Sequence, residues 1–162
     1  MKICSGIYNS QSGMMKTIQL LFISLILLSC DSAKPGKGIM NLDVPFIEAK
    51  NYFVRNDLAD QDQIKFETQQ EFDAVFGMAT TMGELGKPTP IDFSRQFVIA
   101  QIEDPSYETV NLKPISIHKN ADIVEVKYRK VIGAQQSYQT QSAMILIIDR
   151  KYDGDVNLVE VP

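Results

Sequence analysis

The residues able to do acid–base or metal chemistry are few and scattered along this chain. His118 is the single imidazole among 162 residues. It ends an alternating segment, Val110–His118, in which Ile115 and Ile117 oppose Ser116 and His118. A general base needs a nucleophile and an orienting partner, and the pattern offers neither, so a solvated hairpin histidine is expected. Glu103-Asp104 follows a hydrophobic run and would present two carboxylates to a cation. Neighbours on a strand point to opposite faces, however, which is a poor geometry for paired acid/base work. Asp149, Asp153 and Asp155 surround Gly154 but lack the spacing and terminal Glu of a calcium loop, so a turn is the reading. No Gly-x-Ser-x-Gly, His-Glu-x-x-His or phosphate loop occurs. The expectation is therefore no catalytic residue, no metal site and no cofactor. A small envelope hydrolase or metal-binding protein built on these clustered carboxylates is the alternative.

Aromatic residues in polar surroundings suggest recognition instead. Tyr107 follows Asp104-Pro105-Ser106, between two predicted strands, and Glu108 comes next. Tyr138 sits in a Gln/Ser/Thr-rich connector, GAQQSYQTQ. Tyrosine offers a large contact area with little rotamer entropy to lose, which suits protein binding. Pro105 restricts the loop backbone beforehand and lowers its ordering cost. Pro105, Tyr107, Glu108 and Tyr138 are the candidate binding residues. Against that stands a second reading in which each ring folds back as a lid on the sheet.

These residues depend on a scaffold whose elements can be read from period and punctuation. Val44–Ile47 is demoted by Pro45 to an edge strand or extended lead-in. Tyr52–Val54 and Ile64–Phe66 are short strands. Thr68-Gln69-Gln70-Glu71 is a capping box, and Phe72, Val75, Phe76 and Ala79 form one apolar stripe. One main amphipathic helix over about 69–79 follows, with Gly77 as a candidate stop. Residues 78–90 are an irregular stretch broken by Gly83, Gly86, Pro88 and Pro90. Gln96–Ile102 and Ser142–Asp149 are apolar on both faces, the mark of central strands. Ile123–Val131 alternates strongly, and Asp153-Gly154 reads as a hairpin turn before Val156–Val161. The fold class is α+β, a mostly antiparallel sheet of about five to seven strands with the helix packed on it.

The first 40 residues belong elsewhere. Ile18–Leu28 is nearly all apolar, too short to span a bilayer but suited to the core of a secretory leader, with Lys16 before it. Translation from Met14 or Met15 would also leave an intact leader. Leu27-Leu28-Ser29-Cys30 resembles the bacterial lipobox, which implies lipidation of Cys30 and cleavage before it. The division expected is a signal peptide over 1–29, a lipidated Cys30 with a flexible tether over 30–40, and a single domain over 41–162. Loss of Lys2 and Lys16 with the leader leaves 14 cations against 20 carboxylates, a net charge of −6. That acidity argues against nucleic-acid binding. Cys30 is then the only cysteine, so no intramolecular disulfide can form. A lipid-anchored, extracytoplasmic location in a bacterial envelope follows, with the outer membrane favoured over the inner.

The segment Ile91-Asp92-Phe93-Ser94-Arg95-Gln96-Phe97-Val98-Ile99-Ala100 runs into a hydrophobic strand. A Pro/Ser/Tyr loop, an alternating strand, a Val-rich strand and a final apolar strand follow. This pattern, over roughly residues 91–150, resembles the C-terminal domain of the PrcB family, lipoprotein subunits of bacterial surface protease complexes. Where that family places a Pro-Thr-Gly-Gly-Tyr-like turn, this chain has Asp104-Pro105-Ser106-Tyr107-Glu108-Thr109, so the proline and tyrosine are kept and the glycines are not. The resemblance implies a non-catalytic binding role, as an assembly or inhibitory subunit for an extracytoplasmic protein.

Overall fold

A computed structural model describes residues 41–55, 64–79, 83 and 86–162. The leader, Cys30 and the tether lie outside the described residues. The domain is α+β, with ten strands and one α-helix among the described residues. In chain order these are β1 (Leu42–Asp43), β2 (Phe46–Glu48), β3 (Tyr52–Val54), β4 (Lys65–Phe66), α1 (Gln69–Val75) and β5 (Phe76–Met78). There follow β6 (Gln96–Ile102), β7 (Ser106–Asn120), β8 (Ile123–Thr140), β9 (Ala143–Asp149) and β10 (Asp155–Glu160).

The strands form a four-stranded sheet in the order β2-β9-β6-β4, a second in the order β1-β7-β8-β10, and a two-stranded ribbon, β3-β5. The first sheet is the middle layer, and its two-sided strands show why. Phe97 and Ile99 of β6 and Met144, Leu146 and Ile148 of β9 pack toward Leu112, Ile117, Val124, Val126 and Tyr128 of the second sheet. The intervening Val98, Ala100, Ile145 and Ile147 pack toward Phe66, Phe72, Val75 and Phe76. A strand covered on both faces has no position left for a polar residue, hence the unbroken apolar runs. Pro45 lies where the chain leaves β1 in one sheet for β2 in the other, and both are edge strands, as its missing N–H requires.

The helix starts as its capping box dictates. Thr68 Oγ1 accepts from the Glu71 N–H at 3.2 Å, and Glu71 Oε2 accepts from the Thr68 N–H at 3.2 Å. It ends at Val75, shorter than the 69–79 that the apolar stripe suggests. Phe76 is already extended, and Phe76–Met78 pairs antiparallel with Tyr52–Val54. Strand pairing overrides the helical period there, while Phe72, Val75 and Phe76 all remain buried. Gly77 permits the pairing, because a Cβ would stand 2.4 Å from the Phe53 ring.

Asp153-Gly154 does not close a hairpin. A 3-10 turn, Arg150–Tyr152, carries the chain from the middle sheet to the outer one, where β10 runs parallel to β8. Gly154 makes this crossover possible, since a Cβ there would lie 2.3 Å from the Asp122 carbonyl oxygen. The Asp155 N–H donates to the same oxygen at 2.7 Å.

Candidate functional site: a two-stranded arm

β7 and β8 are much longer than the other strands, and their hairpin outruns the sheet that contains it. β10 follows β8 only as far as Tyr128, and β1 meets β7 only at His118 and Lys119. Beyond those points Ser106–Asn111 and Val131–Thr140 continue as a two-stranded arm, paired to each other at Ser106–Thr140, Glu108–Gln135, Val110–Ile132 and Asn111–Val131. Most residues of the arm are exposed on both faces. This is why the alternation expected of a half-buried strand is missing from GAQQSYQTQ.

The arm gathers the candidate binding residues. Pro105 ends the three-residue loop that leads from β6 into β7, and Tyr107 and Glu108 lie on β7 itself. Tyr138 lies on β8, in a segment that sequence pattern alone reads as a connector. Tyr107 is 52% exposed and Tyr138 is 62% exposed, so neither ring is a lid on the sheet. The ladder is irregular here. β8 spends five positions, from Gln135 to Thr140, where β7 spends two, from Ser106 to Glu108. The extra residues of β8, Tyr138 among them, stand out from the regular pairing. Ile132 is 57% exposed on the same strand.

The root of the arm is fixed by polar contacts. The Ser142 hydroxyl donates to the Val110 carbonyl at 2.6 Å, and the Glu103 N–H donates to the Ser142 carbonyl at 2.9 Å. Lys130 forms an ion pair with Glu103, whose side chain is only 11% exposed. The hydrogen bond to Glu103 raises the Lys130 ammonium above its usual value, against a smaller opposing effect of burial. Glu103 is thereby occupied as a structural carboxylate, while Asp104 is exposed.

Two of the remaining carboxylates, Asp149 and Asp153, are also structural in this geometry, while the Asp155 side chain is exposed. Asp153 Oδ1 lies 2.6 Å from Lys65 Nζ, and Asp149 Oδ1 accepts from the Lys151 N–H at 2.9 Å to start the 3-10 turn. No group of three or more His, Cys, Asp or Glu among the described residues is arranged to hold a metal ion. Asp92, in the segment that runs into β6, accepts from the Ser94 N–H at 3.1 Å, the Ser94 hydroxyl at 2.5 Å and Arg95 Nε at 2.8 Å. The Ser94 and Arg95 hydrogen bonds hold its carboxyl below the usual range. The Asp-Phe-Ser-Arg motif is thus a turn that launches the central strand, with the Phe93 ring against Phe72.

His118 departs from a simple solvated residue. It is half-buried, opposite Asp43 on β1 and Glu125 on β8, and Asn157 of β10 completes the row across the sheet. Its Nδ1 lies 2.8 Å from Asp43 Oδ1 but off the line of a directional hydrogen bond. His118, Glu125 and Asn157, with Asn41, Asn120 and Ile123, line an open cleft of about 330 Å³. Sequence order could not show this row, because its members come from four strands. No nucleophile lies among the lining residues, so it has the makings of a polar contact surface and not of a hydrolytic centre.

No helix among the described residues is long and apolar enough to cross a membrane. No protein-family profile matches the chain, and neither a curated protein nor a solved structure shows significant similarity to it.

Proposed function

We infer that this chain is a non-catalytic protein-binding module of the bacterial envelope, anchored through lipid on Cys30, that engages an extracytoplasmic protein as an assembly or inhibitory subunit. The observation that carries this reading is the arm. Tyr107 and Tyr138 stand exposed on one projecting ribbon whose root is held by Glu103, Lys130 and Ser142. A ribbon whose root is fixed on the domain and which presents exposed aromatic rings suits recognition. The resemblance of residues 91–150 to the PrcB family supports the same role, and the lipobox-like Leu27-Leu28-Ser29-Cys30 supports the location. Glu103, Asp149 and Asp153, three of the carboxylates that would serve a hydrolase, are engaged in ion pairs and a turn cap. Amide hydrogen exchange of the purified chain, with and without solubilised envelope from its own bacterium, tests the reading. Added protection centred on 106–111, the strand that carries Tyr107, is expected. Protection confined to the cleft around His118, with the arm unchanged, would move the binding surface there.

A further inference from the structure

We propose that the free edge of β8, from Val131 to Thr140, pairs antiparallel with the same edge of a second copy of this chain, about a twofold axis through Gln135. Three observations lead to this. First, the arm is a two-stranded ribbon with no further strand beside it among the described residues. Such a ribbon with both faces solvated is marginal in water until a third strand or a covering surface is added. Second, the edge lacks charge and proline, so the irregular ladder between Gln135 and Thr140 is the one feature that interrupts it. Natural edges are blunted by charge or proline, and here the other edge-bearing strands of the two larger sheets carry it. β1 has Asp43, β2 has Glu48, β4 has Lys65 and β10 has Asp155 and Glu160, whereas Val131–Thr140 contains ten residues with no charge and no proline.

Third, the segment is complementary to itself. With Gln135 opposite Gln135, antiparallel pairing puts Ile132 of each copy opposite Tyr138 of the other. These are the two most exposed large apolar residues of the arm. Pairs of a β-branched and an aromatic residue are favourable across strands. An uncharged strand also meets its own copy without opposing like charges. The contact is isologous and closes at two copies, so it yields a dimer and not a filament. Tyr138 is taken up between the copies, whereas Tyr107 lies on β7, outside this contact, and stays open to a partner. The inference therefore does not rest on the partner reading.

The full chain in mild detergent is the sample, and its protein mass by light scattering is the first readout. Twice the mass of a single chain is expected. Gln135→Cys supplies a position test, since opposite Cα atoms across a strand pair are about 4.5–5.5 Å apart, within disulfide reach. Oxidation should link the two introduced thiols, identified as a linked peptide, beyond any background from Cys4 and Cys30. A matched Thr109→Cys on β7 should not link. Register is tested by charge. Ile132→Lys with Tyr138→Lys should abolish the dimer, Ile132→Glu with Tyr138→Glu should do the same, and mixing the two should restore it. A wild type that stays monomeric, or charge variants that remain dimeric, would overturn the proposal while leaving partner binding through Tyr107 intact. Tyr107→Ala, conversely, should leave the dimer unchanged.

Discussion

Lys130 on β8 donates its ammonium to the carboxylate of Glu103, the residue that follows β6. The pair joins the second sheet to the middle one at the point where the arm begins. A carboxylate so nearly enclosed requires its cation, because the unpaired charge would otherwise lose its hydration without compensation. Glu103→Gln is expected to cost roughly 1.5 kcal/mol, the lower end for a charged hydrogen bond, since Lys130 still meets solvent. Amide exchange should quicken in residues 106–111 and 131–140 more than in β6 or β9. Uniform quickening across both sheets would show that the pair supports the whole domain and not the arm.

The helix provides a second comparison. Phe72 is fully buried and stacks on Phe76 with ring centroids 4.8 Å apart. Phe72→Ala is expected to cost about 3–5 kcal/mol, and Thr68→Ala about 1 kcal/mol through loss of the cap. Denaturant melts of the two variants would show the order directly. A smaller cost for Phe72→Ala would mean that the stripe is not a core element.

Stability should fall at both ends of the pH scale through one pair. The hydrogen bond from Lys65 holds the Asp153 carboxyl below its usual value. Burial pulls Lys65 down, but the hydrogen bonds and charges of Asp153 and Glu67 outweigh it and leave the ammonium raised. The Asp153 contribution is therefore present above the ordinary carboxylate range and lost as pH falls through its lowered folded value. The Lys65 contribution is present below the ordinary amine range and lost as pH rises through its raised folded value. Asp153 is nearly half-exposed, so Asp153→Asn is expected to cost only roughly 0.5–1 kcal/mol at neutral pH. Melts against pH should show wild type and variant converging in acid. An unchanged gap at low pH would assign the loss to something other than this charge.

Much of the scaffold was legible because it depends on short-range rules. The capping box at Thr68 and Glu71, the two-sided strands around Val98 and Ile147, and the edge position of Pro45 all follow from period and local chemistry. What was not legible depends on partners distant in the chain. Phe76 and Gly77 fit the helical stripe, and only their pairing with Phe53 and Val54 makes them a strand. Asp153-Gly154 has the residues of a hairpin, but β10 runs parallel to β8. Tyr138 looked like part of a connector because a strand solvated on both faces has no period to detect. Tyr107 and Tyr138 were separate candidates 31 residues apart, and the β7–β8 ladder brings them to one arm.

The lipid attachment proposed for Cys30 makes an independent prediction. Cys30 follows Leu27-Leu28-Ser29 as a lipidated cysteine should. Several acyl chains on one residue hold a protein at a membrane far more firmly than a single chain. Cells expressing the wild type should incorporate a fatty-acid probe into the protein and carry it in the membrane fraction. Cys30→Ser should lose both. Continued labelling and sedimentation of Cys30→Ser would contradict lipid attachment at this residue.

The central claim is that the arm binds a protein through the exposed Tyr107, and Tyr107→Ala tests it most directly when stability and capture are measured on the same preparation. An exposed anchor can be truncated with a stability change within about 0.5 kcal/mol, yet an interface hot spot loses about 2 kcal/mol or more of affinity. That loss is roughly a thirtyfold weakening at room temperature. The account predicts an unchanged melting curve for Tyr107→Ala, together with loss of the envelope protein that wild type captures, quantified by mass spectrometry. A lowered melting temperature with that protein recovered at the wild-type level would contradict it.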